Sequence, residues 1–252
     1  MPAPISVQLY SLREAMKDGK HATVLAALGK AGFVGVETAG LYGLKPAEFK
    51  KLASDNGLVV SSTHGPTPTA TNVAEVIDTN RALGSPYAIS GFGPNDFKDL
   101  DTIRTTADKL NTGISLLKSS GVKFAMHNHW WEFERLLGRA KIDWLLDLVP
   151  DLHLEIDTYW ASNFQAEVPA EQVRRFAART PYLHLKDGPF IKDQPMVACG
   201  GGKQDFPAIV GAADPKLLQW VVVELDACAT DMLTAVIESK RFLVDKGLAR
   251  GR

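Results

Sequence analysis

At 252 residues, with 45% hydrophobic and 23% charged residues, the chain has the composition of an ordinary folded protein and enough length for one large core. A formal charge of −1, with lysines and arginines scattered, leaves no cationic face for a nucleic-acid backbone or an anionic membrane. No apolar run approaches the ~20 residues that span a bilayer, and MPAPISVQLY passes into a strand pattern without a signal-peptide core. A cytoplasmic protein is expected, and Cys199 and Cys228, in no CxxC spacing, read as structural thiols.

Short runs rich in β-branched and apolar residues recur at 5–10, 35–39, 59–65, 87–91, 123–129, 153–160, 182–187 and 220–226. Between them lie amphipathic stretches such as HATVLAALGKAG, PAEFKKLASDNG, TNVAEVIDTNRALG, TIRTTADKLNTGISLLKSSG and AEQVRRFAART. Several finish in Gly32, Gly57, Gly84 or Gly121, the residue type suited to the left-handed turn after a helix. Strand and helix alternating eight times require parallel pairing, because each helix must carry the chain back across the sheet. Closure then predicts an α/β fold, a (β/α)8 barrel of the TIM type, with residues 1–252 as one domain. An open doubly wound sheet is the alternative, but no GxGxxG or P-loop sequence follows the first run. Gly200, Gly201 and Gly202 fall in a long loop after the seventh run, where an active-site loop fits better than a domain boundary.

In such a barrel, chemistry gathers at the C-terminal ends of the strands. There the sequence places His64 in SSTHGP, His127 and His129 in AMHNHWWEFE, Asp157 in HLEIDTYW, His184 and Lys186 in YLHLKDGP, and Glu224 in VVVELDA. Residues two apart share a strand face. Thus His153, Glu155 and Asp157 oppose Leu152, Leu154 and Ile156, His184 and Lys186 lie together, and Glu224 opposes Val223 and Leu225. Inward polar groups near the rim are costly unless something satisfies them. One divalent metal would do so, and oxygen and imidazole donors without thiolate suit Mn, Mg, Co or Zn. Asp157, His184 and Glu224, from three consecutive strands, form the core of that set. The fourth ligand is open between His127, at a strand end, and Glu132 in the following loop, with Glu132 favoured. Plainer readings stand beside these: a buried hydrogen-bonded network, a rim ion pair of Lys186 with Asp187, packing roles for Trp130, Trp131 and Trp160, and an interior role for His153 and Glu155.

Taken together, ISVQLYSLR, GFVGVETAG, SSTHGP, HNHWWEFE, EIDTYW, YLHLKDG, GGGKQDFP and VVVELD resemble the xylose-isomerase-like TIM-barrel superfamily nearly end to end. That superfamily includes sugar-phosphate isomerases and epimerases, ketose epimerases, inosose dehydratases and metal-dependent AP endonucleases of family 2. The resemblance implies metal-ligand positions at Asp157, His184 and Glu224. The usual first ligand is a Glu at the end of the fifth strand, where this sequence has His127, and HNHxxEF-like segments point to Glu132 as the replacement carboxylate. A His expected three residues after the Asp is here Trp160.

The implied chemistry is metal-dependent isomerisation or epimerisation of a sugar or keto-sugar, through loss of a proton beside a carbonyl and a metal-stabilised enediolate. Glu132 and Glu224 are the candidate proton-transfer pair, and Lys186 the group steadying the developing oxyanion. His64, His127, His129, Trp160 and Lys186 are candidate substrate contacts. With no Gly-rich phosphate loop or arginine cluster, a non-phosphorylated sugar, keto-glycoside or inositol derivative is favoured. A dehydratase of an inosose-like ketone and a non-catalytic sugar-binding barrel are the alternatives. The partner is expected to be a small carbohydrate, with no nucleic acid or membrane. A homo-oligomer is left open, with the loop tryptophans after the fifth strand as a candidate contact.

Overall fold

The computed structural model describes residues 1–252. In chain order it runs β1 (Ile5–Gln8), α1 (His21–Ala31), β2 (Gly35–Ala39), α2 (Pro46–Asp55), β3 (Val59–His64), α3 (Val73–Leu83), β4 (Tyr87–Gly91), α4 (Leu100–Leu117) and β5 (Lys123–His127). It continues with α5 (Lys141–Leu148), β6 (His153–Asp157), α6 (Thr158–Ala161), α7 (Pro169–Phe176), β7 (Tyr182–Leu185), α8 (Phe206–Gly211), β8 (Trp220–Val223) and α9 (Met232–Asp245). All eight strands pair in parallel and the sheet closes, since β1 pairs with β2 on one side and with β8 on the other (Ser6 with Gly35, Ile5 with Val221). The chain is therefore a (β/α)8 barrel and not an open doubly wound sheet. No helix is long and apolar enough to cross a membrane.

Strand parity divides the side chains into two compartments. Leu154, Ile156, Leu183, Leu185, Val221 and Val223 point outward into one continuous apolar layer shared with the helices. Burying each such side chain stabilises the fold by ~1.5–3 kcal/mol. Inside the barrel, Tyr87, Ile89, Ala125, Tyr182 and Val222 pack as a separate plug, and the Tyr182 hydroxyl donates to the Ser61 carbonyl at 2.8 Å. Above that plug the inward residues become polar.

Several strands stop earlier than their apolar patterns suggest. The run 153–160 ends as a strand at Asp157, because its carboxylate accepts from the Trp160 amide at 2.9 Å and starts the helical turn α6. The runs 123–129 and 182–187 likewise leave the ladder near His127 and Leu185, which releases the following residues to line the mouth. Past β5 the chain also makes a short antiparallel hairpin, pairing Arg135–Leu136 with Arg139–Ala140.

The loop after β7 is organised by Asp187, which is fully buried. Its carboxylate accepts from the backbone amides of Gly188, Gly200, Gly202 and Gln204 at 2.8–3.1 Å. The approach at Gly202 leaves no room for a side chain, since a Cβ there would sit 2.2 Å from the Asp187 carboxylate. Both cysteines are free, Cys199 buried within this loop. Asp187→Ala should cost about 3 kcal/mol of folding stability, because charge-assisted hydrogen bonds contribute ~1.5–3 kcal/mol each and orphaned buried amides add to the loss. Urea denaturation of the variant checks this, and a loss below about 1 kcal/mol would deny the loop its anchor.

Candidate active site

The polar layer occupies the C-terminal end of the barrel. Register alone brings several groups level: His127 beside Glu155 and Asp157 beside His184 on neighbouring strands. Glu224 follows directly on β8, two residues beyond Val222, which pairs with His184. One ligand-type atom from each of His127, Asp157, His184 and Glu224 lies within 4.8 Å of the others, and all four residues are buried. The structure thus gathers Asp157, His184 and Glu224 and adds His127. Glu132 is not brought to this group. It is fully buried, one carboxylate oxygen accepts from the His129 amide at 2.9 Å, and the other has no hydrogen-bond partner and lies 3.8 Å from the His129 ring. The loop folds back on itself, so that Glu132 stands behind His129.

Below the four residues lies a second tier that sequence reasoning did not assign to the site, built on Glu37 and Glu155. His184 spans both tiers. One ring nitrogen lies 2.9 Å from Glu224, and the other lies 2.9 Å from Glu37 and 3.1 Å from Glu155. Glu155 also meets His64 at 2.8 Å and His127 at 3.2 Å, so one carboxylate ties three imidazoles together. Gln8 and Ser62 donate to Glu37. Glu37 was visible in GFVGVETAG as a carboxylate inside an apolar strand run. Its partners come from β1, β3 and β7, which no local pattern could name.

Lys186 sits at the centre of the electrostatics. It is 1% exposed, and its ammonium lies 2.9 Å from Asp157, 2.8 Å from Glu224 and 2.6 Å from Asp226. The plainer reading of a rim ion pair between Lys186 and Asp187 does not hold, since the Asp187 carboxylate is taken up by backbone amides of the following loop. Burial opposes the charge on Lys186, but Asp157, Asp226 and Glu224 outweigh it and hold the ammonium well above its usual range. Burial likewise opposes a charge on His184, and Glu155 and Glu37 outweigh it, so His184 favours the imidazolium. For His127 burial prevails and favours the neutral ring. Burial raises Asp157 to about 6 although Lys186 opposes it, whereas on Glu224 the pull of Lys186 and His184 exceeds burial and keeps the carboxylate ionised. Asp226 could have been found from parity, since it lies two residues past Glu224.

These groups open on a mouth of about 420 Å³ whose wall includes Gln8, His64, His127, His129, Trp131 and Glu224. His129 stacks on Trp131 at 4.2 Å. Trp160 is not part of that wall; its ring lies 5.3 Å from the Lys186 ammonium and packs against Trp130 and Phe164. The three tryptophans near the mouth, Trp130, Trp131 and Trp160, are each half-buried. His153 lies deeper, with its ring 3.2 Å from the Tyr87 hydroxyl.

The chain is thus a closed parallel barrel with clustered carboxylates and imidazoles at its C-terminal mouth, the end where barrels of this architecture gather reactive residues. Residues 25–245 match the family model described as xylose isomerase-like TIM barrel, and the chain belongs to that family. Solved structures agree on the fold. A sugar phosphate isomerase/epimerase from Parabacteroides distasonis ATCC 8503 superposes with a TM-score of 0.80 at 23% identity, covering 99% of this chain and 96% of that one. The 3-keto-D-glucoside 4-epimerase from E. coli gives 0.71 at 16% identity, covering 96% and 99%. IOLI protein with a binding zinc atom gives 0.71 at 14%, covering 96% and 97%. A comparison with curated protein sequences finds no match.

The donor set, two imidazoles and two carboxylates without thiolate, fits a borderline divalent ion. A cation entering there must compete with the Lys186 ammonium for Asp157 and Glu224. Lys186→Met should therefore bind Zn or Mn at least about tenfold more tightly than the parent by calorimetry, while the metal-free variant loses about 3–5 kcal/mol because its buried carboxylates lose their counter-charge. Weaker ion binding in Lys186→Met would show instead that the lysine supports the ion.

Proposed function

We propose that the chain is an isomerase or epimerase of a non-phosphorylated sugar or keto-sugar, working by proton transfer at a carbon beside a carbonyl. The observation that carries this reading is the convergence of buried acid, base and cation on one mouth: Glu224, His127 and His129 in its wall, with Asp157 and Lys186 directly behind. Such chemistry needs a base on the C–H, a stabiliser for the oxygen that gains charge, and an acid to return the proton. Among the residues lining the mouth there is no lysine or arginine, and Glu224 and Asp226 are acidic, which disfavours a phosphorylated substrate.

His127, Asp157, His184 and Glu224 would hold a divalent ion, with Glu37 and Glu155 fixing the far nitrogens of the two imidazoles as carboxylate partners commonly do. When bound, such an ion supplies Lewis-acid polarisation of a carbonyl and neighbouring hydroxyl, which is worth several kcal/mol. The ionised Glu224 is the group that takes the substrate proton. The proton is returned by His129, half-buried in the wall and backed by Glu132. Glu132 thus acts through His129 rather than by touching the substrate. Lys186 steadies negative charge on the oxygen side of the cluster, and Trp131 offers its face to the C–H surface of a sugar ring.

The test is proton NMR in deuterated buffer with a panel of ketoses and keto-glycosides. Solvent deuterium should enter at the carbon beside the carbonyl without loss of water, whereas loss of a β-hydroxyl would make the enzyme a dehydratase. Asp157→Ala and Glu224→Ala should each lower turnover at least about 10³-fold, near 4 kcal/mol of barrel-mouth catalysis, with unchanged circular dichroism. Chelation should abolish activity and Mn restore it. Near-native turnover in either variant would remove the assigned site.

A further inference from the structure

We infer that the lower tier of the cluster, His64, His127, Glu155 and His184, is itself a site for Zn or Co, beneath the four residues assigned to the mouth. One ligand-type atom from each of these residues lies within 4.8 Å of the others. They come from β3, β5, β6 and β7, so barrel closure brings them together.

Their convergence fits a cation better than a network of hydrogen bonds. A single oxygen of Glu155 lies 2.8 Å from His64 Nε2, 3.2 Å from His127 Nδ1 and 3.1 Å from His184 Nε2. A carboxylate oxygen offers about two lone pairs, so three N–H donors crowd it. Meanwhile the second oxygen of Glu155 has no partner, although the residue is 0% exposed. Buried polar atoms are rarely left in that state. A cation among the four would accept the nitrogen lone pairs and balance the charge on both carboxylate oxygens. The spacing agrees, because donors ~2.0–2.1 Å from a tetrahedral ion stand about 3.3 Å apart.

Three imidazoles and one carboxylate suit Zn or Co, whereas Mg takes oxygen donors. Glu37 stands at the same point, 2.9 Å from His184 Nε2 and 3.5 Å from His64 Nε2, and is itself held by Gln8 and Ser62. Only imidazoles form ion pairs with Glu37 and Glu155. In the upper set, by contrast, the Lys186 ammonium already lies 2.9 Å from Asp157 and 2.8 Å from Glu224. The lower tier is therefore the one an incoming ion enters without displacing a lysine. Access is through His64, whose side chain is 23% exposed in the wall of the mouth. The two tiers share His127 and His184 through opposite ring nitrogens, since His127 Nε2 faces Asp157 and His184 Nδ1 faces Glu224. A neutral imidazole gives one lone pair, so an ion below withdraws both rings from the four above.

The test is Zn binding to the full chain by calorimetry, together with a Co-loaded crystal measured at the absorption edge of the metal. The parent should bind Zn with a Kd below about 1 μM, and anomalous scattering should place Co among His64, Glu155 and His184. His64→Gln and Glu155→Gln alter only the lower tier and should each weaken Zn binding at least about tenfold. Asp157→Asn and Glu224→Gln alter only the upper tier and should leave it within about threefold. Equal or greater loss in the upper pair, a Co peak between Asp157 and Glu224, or no Zn binding by the parent would each overturn the site. Should Glu155→Gln fail to fold, His64→Gln and the parent crystal decide. All these readouts are taken without substrate, so failure of the proposed reaction leaves them unchanged.

Discussion

Placing four carboxylates, Glu37, Glu155, Asp157 and Glu224, in the dry upper interior of a barrel is tolerable only with positive charge among them. His184 on β7 and Lys186 just past its end supply it, each bridging acids contributed by other parts of the barrel. The remaining features of the mouth follow from that arrangement. Glu155 is kept ionised by His184, His127 and His64 against its burial, and this fixes the orientation of all three rings. Glu37 is pushed up by burial and by the nearby Glu155. The cluster is thus held in place by its own charge balance, the fixed arrangement that the proposed proton transfer requires.

The barrel supports this by separating tasks along each strand. Outward residues and the helices form the apolar layer, the plug around Tyr87, Tyr182 and Val222 closes the lower interior, and polar residues occupy only the upper tiers. Loops then complete the mouth. Asp187 gathers the glycine-rich loop after β7 through four backbone amides, while Asp157 begins a helical turn that carries Trp160 over Lys186. A carboxylate that caps its own following turn cannot also swing freely, so Asp157 presents its second oxygen to Lys186 in a fixed position.

One architecture here holds buried polar groups in two different ways. In the mouth, charges are paired with charges across strands. Behind β2 and β3, the Thr38 and Thr63 hydroxyls and the Asn80 amide oxygen are buried without a partner. The first pattern suits proton transfer.

Alternation of apolar runs and amphipathic stretches determined the eight-strand barrel, and two-residue parity within HLEID, YLHL and VVVE determined that Asp157, His184 and Glu224 face inward, because both depend only on local repeat geometry. Tertiary structure decided what that geometry cannot reach. A loop residue has no parity, so only folding turned Glu132 behind His129 and left His127 beside Asp157. Contacts between strands far apart in sequence joined Glu37 to His184 and Lys186 to Asp226, since the neighbours of an inward side chain are chosen by barrel closure.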